Sequence, residues 1–327
     1  MRAVMVDEER ALRVHDVERP EPGHGEVRVK VAACGICGSD LHLRSSPALP
    51  SGSVLGHEFA GEVEAVGAGV TGVTAGDRVC VHPGPPLERH DFHRAMAASI
   101  GLGRRPGAYA EAVVVDADML WALPENVSFE QAAMTEPVAV AVHALRIGGA
   151  SPDLRTAVVG AGPIGILVAL VARAWGVESL VVVEPNDGRR GVVEDLGVPA
   201  VGLDGAERAV REALGGPPEL VMECAGHPSA PNLAVRLVAP EGTVVLVGAL
   251  DEPVQISQIA LIAKEAQIRA SFSYRPADFT AALDLIASSS VPVDRLITAV
   301  EPLERAGEMF EELRRPGNTQ LKVILRP

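Results

Sequence analysis

The stretch from Thr156 to Gly165 reads TAVVGAGPIG and determines how the middle of this chain is expected to fold. Four residues typical of a buried strand run into glycines spaced G-x-G-x-x-G, the pattern that joins a strand to a helix in dinucleotide-binding units. The second glycine lets a ligand approach the backbone, and free N–H groups at the helix start favour a phosphate. The pattern predicts a dinucleotide site at Gly160, Gly162, Pro163, Ile164 and Gly165, with an ordinary glycine turn as the alternative.

The chain after Arg155 alternates apolar runs with helical segments. The apolar runs lie at Thr156–Val159, Leu180–Val183, 220–222 and 243–247. Helical segments such as 164–175 and 189–196 separate them. Repeated alternation of strand and helix predicts an α/β unit with a doubly wound parallel sheet.

The first third of the chain shows the period-two alternation of half-buried strands. Strands are predicted at 26–31, 62–66, Arg78–Val81 and 112–115, with glycine turns among them. Closely spaced strands of this kind indicate a β barrel or sandwich.

A helix is predicted over 128–144, because Ser128 and Gln131 have the spacing of a capping box. The tail of the chain predicts helices at Pro276–Ala287 and 303–314 and a last strand at 321–325.

An acidic residue, Glu184, follows the second strand of the α/β unit. A carboxylate there accepts hydrogen bonds from the ribose hydroxyls of NAD and repels the 2′-phosphate of NADP. A solvated carboxylate at a strand end is the alternative. Arg189 and Arg190 come soon after and can hold a 2′-phosphate or lie along the adenine, so NAD is the favoured cofactor and NADP the second.

The composition bounds the class of protein. The 327 residues suggest two domains, and a net charge of −14 argues against partners that need a positive field, such as nucleic acid or an anionic membrane. Only four cysteines occur, which predicts a reducing compartment rather than a disulfide framework. Charged residues 7–10 stand where a signal peptide would continue its apolar run, so we expect a cytoplasmic protein.

Metal-ligand residue types occur at two places in the β-rich third. Cys34 and Cys37 form C-x-x-C, and His57 precedes Glu58. Thiolate, imidazole and carboxylate are the ligand types of a catalytic zinc with an open position. The alternatives are a pair of small buried thiols and a histidine buried in the core.

The sequence resembles the zinc-dependent medium-chain dehydrogenases, especially the branch of sorbitol, butanediol and threonine dehydrogenases. The resemblance covers essentially the whole chain and is carried by residues 35–40, 56–58, 76–79, 136–137 and 160–165. It implies a GroES-like β-rich catalytic domain at 1–134 and 273–327 and a Rossmann nucleotide-binding domain at 135–272. It also implies a homodimer or homotetramer.

The resemblance further implies a role for each matching residue. The metal ligands would be Cys37, His57, Glu58 and Glu136, with Glu58 bound directly or close by and Glu136 acting through a bound water. Ser39 would take the alcohol proton and His42 would pass it to solvent. Cys34 would be structural, and Val247 would lie near the nicotinamide.

The implied activity is hydride transfer between a secondary alcohol or polyol, or the matching ketone, and NAD(H). The alternatives are a zinc-free NAD(P)H quinone or enoyl reductase and a relative that binds NADH without catalysis. Many relatives carry a second, structural zinc held by four cysteines. Here those positions are occupied by Leu87, His90, His93 and Gly101, so we expect one catalytic zinc and no structural zinc.

Overall fold

The computed structural model describes residues 1–84, 98–102, 104–250, 252–315 and 317–327. These residues form two compact units. The first comprises Met1–Glu136, Arg275–Ala287 and Pro292–Pro327, and the second comprises Pro137–Tyr274 and Ser288–Val291.

The strands are numbered in chain order. They are β1 Arg2–Val6, β2 Leu12–Asp16, β3 Glu26–Gly35, β4 Glu58–Val66, β5 Arg78–Val81, β6 Ala112–Asp116, β7 Leu120–Ala122, β8 Thr156–Val159, β9 Leu180–Val183, β10 Ala200–Val201, β11 Leu220–Glu223, β12 Thr243–Leu246, β13 Gln267–Ala270, β14 Ile297–Pro302 and β15 Lys322–Arg326.

The α-helices are numbered in the same way. They are α1 Gly38–Ser45, α2 Phe129–Ala133, α3 Thr135–Gly148, α4 Pro163–Ala174, α5 Asp187–Asp195, α6 Ala206–Leu214, α7 Ala230–Leu237, α8 Gln258–Lys264, α9 Pro276–Ala287 and α10 Ala306–Leu313. Short 3₁₀ turns occupy Ala117–Met119, Val293–Leu296 and Leu303–Arg305.

The first unit is built on a sheet with the order β14-β15-β3-β4-β5-β7, and β1 pairs with β2 beside it. One edge of strand β3 pairs with two strands, with β6 along residues 26–30 and with β15 at Cys34 and Gly35. Strand β4 pairs with the other edge of β3. Because β3 continues through its small residues to Gly35, it is longer than the predicted 26–31. The hydrophobic core of the first unit includes Phe59, Tyr109 and Phe310.

The second unit contains a sheet in which every pairing is parallel, with the order β10-β9-β8-β11-β12-β13. The order reverses between β8 and β11, which is where doubly wound sheets bind nucleotides. Apolar side chains of β9, β11 and β12 pack on α6 and α7 in the core of this unit. The predicted doubly wound parallel sheet is therefore confirmed.

The predicted helix over 128–144 is divided in two. The capping box is confirmed, since Ser128 accepts a hydrogen bond from Gln131 N–H and Gln131 bonds back to Ser128 N–H. Helix α2 then ends at Ala133, Met134 caps it, and α3 begins at Thr135. The predicted helix over 303–314 likewise starts with a 3₁₀ turn before α10. Among the described residues, no helix has the length and apolar character needed to cross a membrane.

Candidate metal and cofactor sites

Three metal-ligand side chains converge where β3 ends and β4 begins. Ligand atoms of Cys37, His57 and Glu58 all lie within 4.8 Å of one another. The strand register brings them together, because Gly35 at the end of β3 pairs with Glu58 at the start of β4. Cys37 follows β3 by two residues, and His57 immediately precedes β4.

This donor set fits a zinc ion. A soft thiolate combined with imidazole and carboxylate favours zinc over the hard cations magnesium and calcium, and three protein ligands leave a position open for substrate. His57 and Glu58 are buried, while Cys37 is half-buried at the start of α1. The geometry therefore brings three of the four predicted ligands into one group.

Cys34 is set apart from Cys37 by its surroundings. It is fully buried, and burial together with the nearby carboxylates of Asp40 and Glu58 raises the pKa of its thiol well above the usual range. A thiol held neutral in this way is a poor metal ligand. A structural role for Cys34 remains a prediction.

Glu58 also forms a buried ion pair that the sequence analysis did not anticipate. Lys322 Nζ lies 2.8 Å and 2.6 Å from the two carboxylate oxygens of Glu58 and 3.2 Å from the carbonyl oxygen of Ile36. Burial alone would lower the pKa of Lys322, but the charge of Glu58, and then those of Cys37 and Glu136, raise it above its ordinary value. Glu58 must therefore share its carboxylate with Lys322 or leave it in order to bind a metal ion.

Asp40 is a second residue that sequence reasoning missed. Its Oδ2 accepts hydrogen bonds from Cys37 N–H at 3.0 Å and from the Tyr109 hydroxyl at 2.6 Å, and its Oδ1 lies 3.4 Å from His57 Nδ1. Burial alone would lower the pKa of His57, but the charges of Asp40 and Cys37 hold it well above the usual range. A carboxylate facing Nδ1 leaves Nε2 as the metal-binding nitrogen.

The two predicted proton-relay residues lie on α1. Ser39 Oγ is 3.4 Å from His57 Nε2, which places this hydroxyl beside the metal-ligand group. His42 follows three residues later, so it shares a helix face with Ser39, and it is exposed to solvent. The helix thus carries one polar group at the site and another at the surface.

Glu136 lies in the first turn of α3 and is half-buried. Its charge acts on Lys322. Among the described residues it is not a member of the group formed by Cys37, His57 and Glu58. A role for Glu136 through a water molecule remains a prediction. The predicted substitutions at Leu87, His90 and His93 lie outside the described residues, whereas Gly101 is described in a turn.

The glycines of the predicted dinucleotide site have the steric roles that the pattern requires. A Cβ on Gly160, whose φ is +100°, would lie 2.8 Å from the Ala225 backbone, and one on Gly165 would lie 2.0 Å from the Gly160 carbonyl oxygen. By contrast, apart from its neighbours in the chain and its own helix, no described atom lies within 4 Å of where a Cβ on Gly162 would stand. Gly162 caps α4 and Pro163 occupies its first turn, so this is the open face where a phosphate can approach.

Glu184 is buried at the end of β9. Its Oε2 accepts a hydrogen bond from Ala161 N–H at 2.7 Å, and its Oε1 accepts one from Asn186 N–H at 2.9 Å. Each carboxylate oxygen keeps a further lone pair for a ribose hydroxyl. The guanidinium of Arg190 donates to the carbonyl oxygens of Glu184 and Pro185, which fixes this arginine at the strand end.

The two remaining predicted cofactor residues lie on neighbouring elements of the same unit. Arg189 is half-buried in the first turn of α5. Val247 follows β12, is half-buried and donates its N–H to the Glu223 carbonyl oxygen at 2.8 Å. Glu223 in turn accepts hydrogen bonds from Ala225 N–H and Gly226 N–H, and burial raises the pKa of its carboxyl.

Two family models match this chain. The alcohol dehydrogenase GroES-like domain matches residues 23–125, and the zinc-binding dehydrogenase family matches residues 163–288. The chain is 34% identical to sorbitol dehydrogenase of Pongo abelii, covering 96% of this chain and 92% of that protein. It is 31% identical to (R,R)-butanediol dehydrogenase of Bacillus subtilis, over the full length of both.

Solved structures agree with this relationship. The crystal structure of 2R,3R-butanediol dehydrogenase from Bacillus subtilis has a TM-score of 0.92 at 30% identity, covering 100% of this chain and 99% of that one. A zinc-binding dehydrogenase from Sinorhizobium meliloti bound to NADP has a TM-score of 0.88 at 29% identity, with the same coverage. An alcohol dehydrogenase from Escherichia coli bound to NADH has a TM-score of 0.90 at 28% identity, again with that coverage.

Proposed function

This chain belongs to the zinc-dependent medium-chain dehydrogenases, and from that premise we propose that it oxidises secondary alcohols and polyols, or reduces the matching ketones, with NAD(H) as its preferred cofactor. It is a zinc-dependent alcohol or polyol oxidoreductase that uses a nicotinamide dinucleotide. The observation that carries the proposal is the convergence of Cys37, His57 and Glu58. This convergence disfavours the zinc-free reductase and the non-catalytic relative.

Cys37 and His57 would hold the zinc ion, with Glu58 as a direct or neighbouring carboxylate and Glu136 acting through water. When bound, zinc polarises the oxygen of the substrate and makes its hydroxyl acidic near neutral pH. The role of the chain is to fix these ligands in a buried site, where charge interactions are stronger than in water. Lys322 holds Glu58 in place, and Asp40 orients His57.

Ser39 and His42 would move the proton that the alcohol loses. The Ser39 hydroxyl, beside His57 Nε2, would accept the hydrogen bond of the substrate hydroxyl and, as it takes that proton at Oγ, would release its own hydroxyl proton towards His42. His42, on the same face of α1 and exposed, returns the proton to solvent. This route avoids a free carboxylate base in the pocket.

The preference for NAD rests on Glu184. Its buried carboxylate lies at the end of β9, where a ribose hydroxyl is expected to bind and where a 2′-phosphate would be repelled. The expected domains, 1–134 with 273–327 and 135–272, would correspond to the first and second units, with zinc held by the first and the dinucleotide by the second.

A homodimer, or a homotetramer built from it, is also part of the proposal. Within the described ranges, β13 hydrogen-bonds to β12 and to no strand on its other edge, and all four of its residues are exposed. Ile268 of β13 and, in the helix that precedes this strand, Ile259 and Ile262 expose apolar side chains. An unpaired strand edge is a template for a second strand, and a second copy of this chain would supply one.

Three measurements test these proposals. A panel of polyols, secondary alcohols and their ketones, with NAD and NADP, should give turnover that Cys37→Ser abolishes; the absence of any turnover would contradict the proposed activity.

The oligomeric state is tested by light scattering, which should show a dimer or tetramer for wild type and its dissociation for the variant Ile268→Lys. Leu203→Lys, which changes an exposed apolar residue of another segment, serves as the control. A monomeric wild type would contradict the assembly. A cytoplasmic location is proposed as well, and fractionation of cells tests it.

A further inference from the structure

Tyr109 is a fully buried phenol directed at the metal-ligand region. Its ring packs edge-on against Phe310, with the centroids 6.0 Å apart. The ring also fills the space beside Gly56, where a Cβ would come within 2.7 Å of it. Because Gly56 immediately precedes His57, the phenol contacts the backbone that carries this proposed ligand.

The hydroxyl of Tyr109 has two neighbours that only accept hydrogen bonds. Asp40 Oδ2 lies at 2.6 Å and the carbonyl oxygen of Gly35 at 3.2 Å. A phenol has one proton, and the charge-assisted contact to a carboxylate is the stronger and shorter one. Tyr109 therefore donates to Asp40.

This donation determines which oxygen of Asp40 faces His57. Oδ2 receives two donors, Tyr109 O–H and Cys37 N–H. Oδ1 accepts no hydrogen bond from the described residues and faces His57 Nδ1, itself without a hydrogen-bond partner, at 3.4 Å. A carboxylate held in this way selects the imidazole with its proton on Nδ1 and leaves Nε2 free to bind metal.

We propose that Tyr109 is a positioning residue of the zinc site, whose hydroxyl holds the Asp40 carboxylate so that Asp40 orients His57 for the metal ion. The inference rests on the proposed zinc site. It adds a series of three buried groups, Tyr109, Asp40 and His57, in which Tyr109 acts on the metal ion only through Asp40.

The test uses Tyr109→Phe, which keeps the ring and its contact with Phe310 but removes the oxygen. Zinc affinity is measured by competition with a chromophoric chelator in wild type, Y109F, D40N and the double variant. Y109F should weaken zinc binding about tenfold, the lower end of the range for groups that orient metal ligands. In the D40N background it should cause no further loss, because the residue through which it acts is already altered.

Cobalt(II) provides a second readout that does not need the D40N variant. The visible bands of cobalt bound to Y109F should shift from those of wild type, because they report the ligand field at His57. Thr156→Val is the control. It removes another buried hydroxyl, bonded to the Leu154 carbonyl oxygen in the second unit, and should change neither zinc affinity nor the spectrum.

Unchanged zinc affinity and an unchanged cobalt spectrum in Y109F would overturn the inference, as would losses in Y109F and D40N that simply add. Failure of the zinc site itself looks different. In that case wild type binds no stoichiometric zinc, or Cys37→Ser binds it as tightly as wild type.

Discussion

Replacing Lys322 by methionine removes the one buried cation in contact with Glu58 among the described residues. The pair has contacts of 2.6 and 2.8 Å, and the side chains are 3% and 0% exposed. Methionine keeps an apolar chain of similar length, so most of the packing survives. What is lost is the charge that compensates the Glu58 carboxylate.

The expected cost in metal-free protein is about 3–5 kcal/mol of unfolding free energy, since breaking a buried ion pair leaves an uncompensated charge. Zinc should recover part of that loss, because the ion replaces the missing positive charge beside Glu58. Without Lys322 as a competitor, Glu58 should also bind zinc at least about tenfold more tightly, which corresponds to about 1.4 kcal/mol.

Urea unfolding with chelator and with saturating zinc measures both effects. The double variant E58Q/K322M is the matched control and should be more stable without metal than K322M, since it buries no isolated charge. A metal-free loss below about 1 kcal/mol would refute the reasoning. An equal loss with and without zinc would refute the claim that Glu58 and the metal ion interact.

Two further predictions concern the cofactor and the proton state of the site. Glu184→Ala should raise kcat/KM for NADP relative to NAD, because the carboxylate that repels a 2′-phosphate is gone, and an unchanged ratio would count against its ribose contact. His57 has a raised pKa in the metal-free fold. Its contribution to stability is therefore fully present below the unfolded value of about 6.5 and is lost as pH rises through the higher folded pKa. The urea midpoint of metal-free protein should fall over that range, and Asp40→Asn should flatten the fall; an identical slope in both proteins would contradict the assignment.

Elements with strong local signals could be predicted from the sequence. Strands β8 and β9 occupy the predicted positions because their apolar, valine-containing runs end at residues that interrupt the pattern, Gly160 and Glu184. Helix α9 likewise spans the predicted Pro276–Ala287. The break between α2 and α3 also had a signal, Pro137, which lacks the N–H that a continuous helix would pair with the carbonyl oxygen of Ala133, but the continuous helix predicted over 128–144 did not take it into account.

The metal-ligand group was predictable because Cys37, His57 and Glu58 stand in short motifs. The residues that hold those ligands in place could not be predicted from the sequence. Lys322 pairs with Glu58 across 264 positions of sequence, and only the pairing of β15 with β3 brings them together. Asp40 carried the local signal of a helix cap, and the buried contacts of its side chain with Tyr109 and His57 depend on the tertiary fold.

The central claim is that Cys37 and His57 hold one zinc ion that the activity requires. Elemental analysis of protein purified without added metal or chelator tests it most directly, with Cys37→Ser alongside and NADH binding measured in both proteins. We predict close to one zinc per chain in wild type, and loss of both zinc and turnover in C37S with NADH binding retained. Wild type that holds no zinc even after zinc is added, or C37S that keeps both its zinc and its activity, would contradict the account.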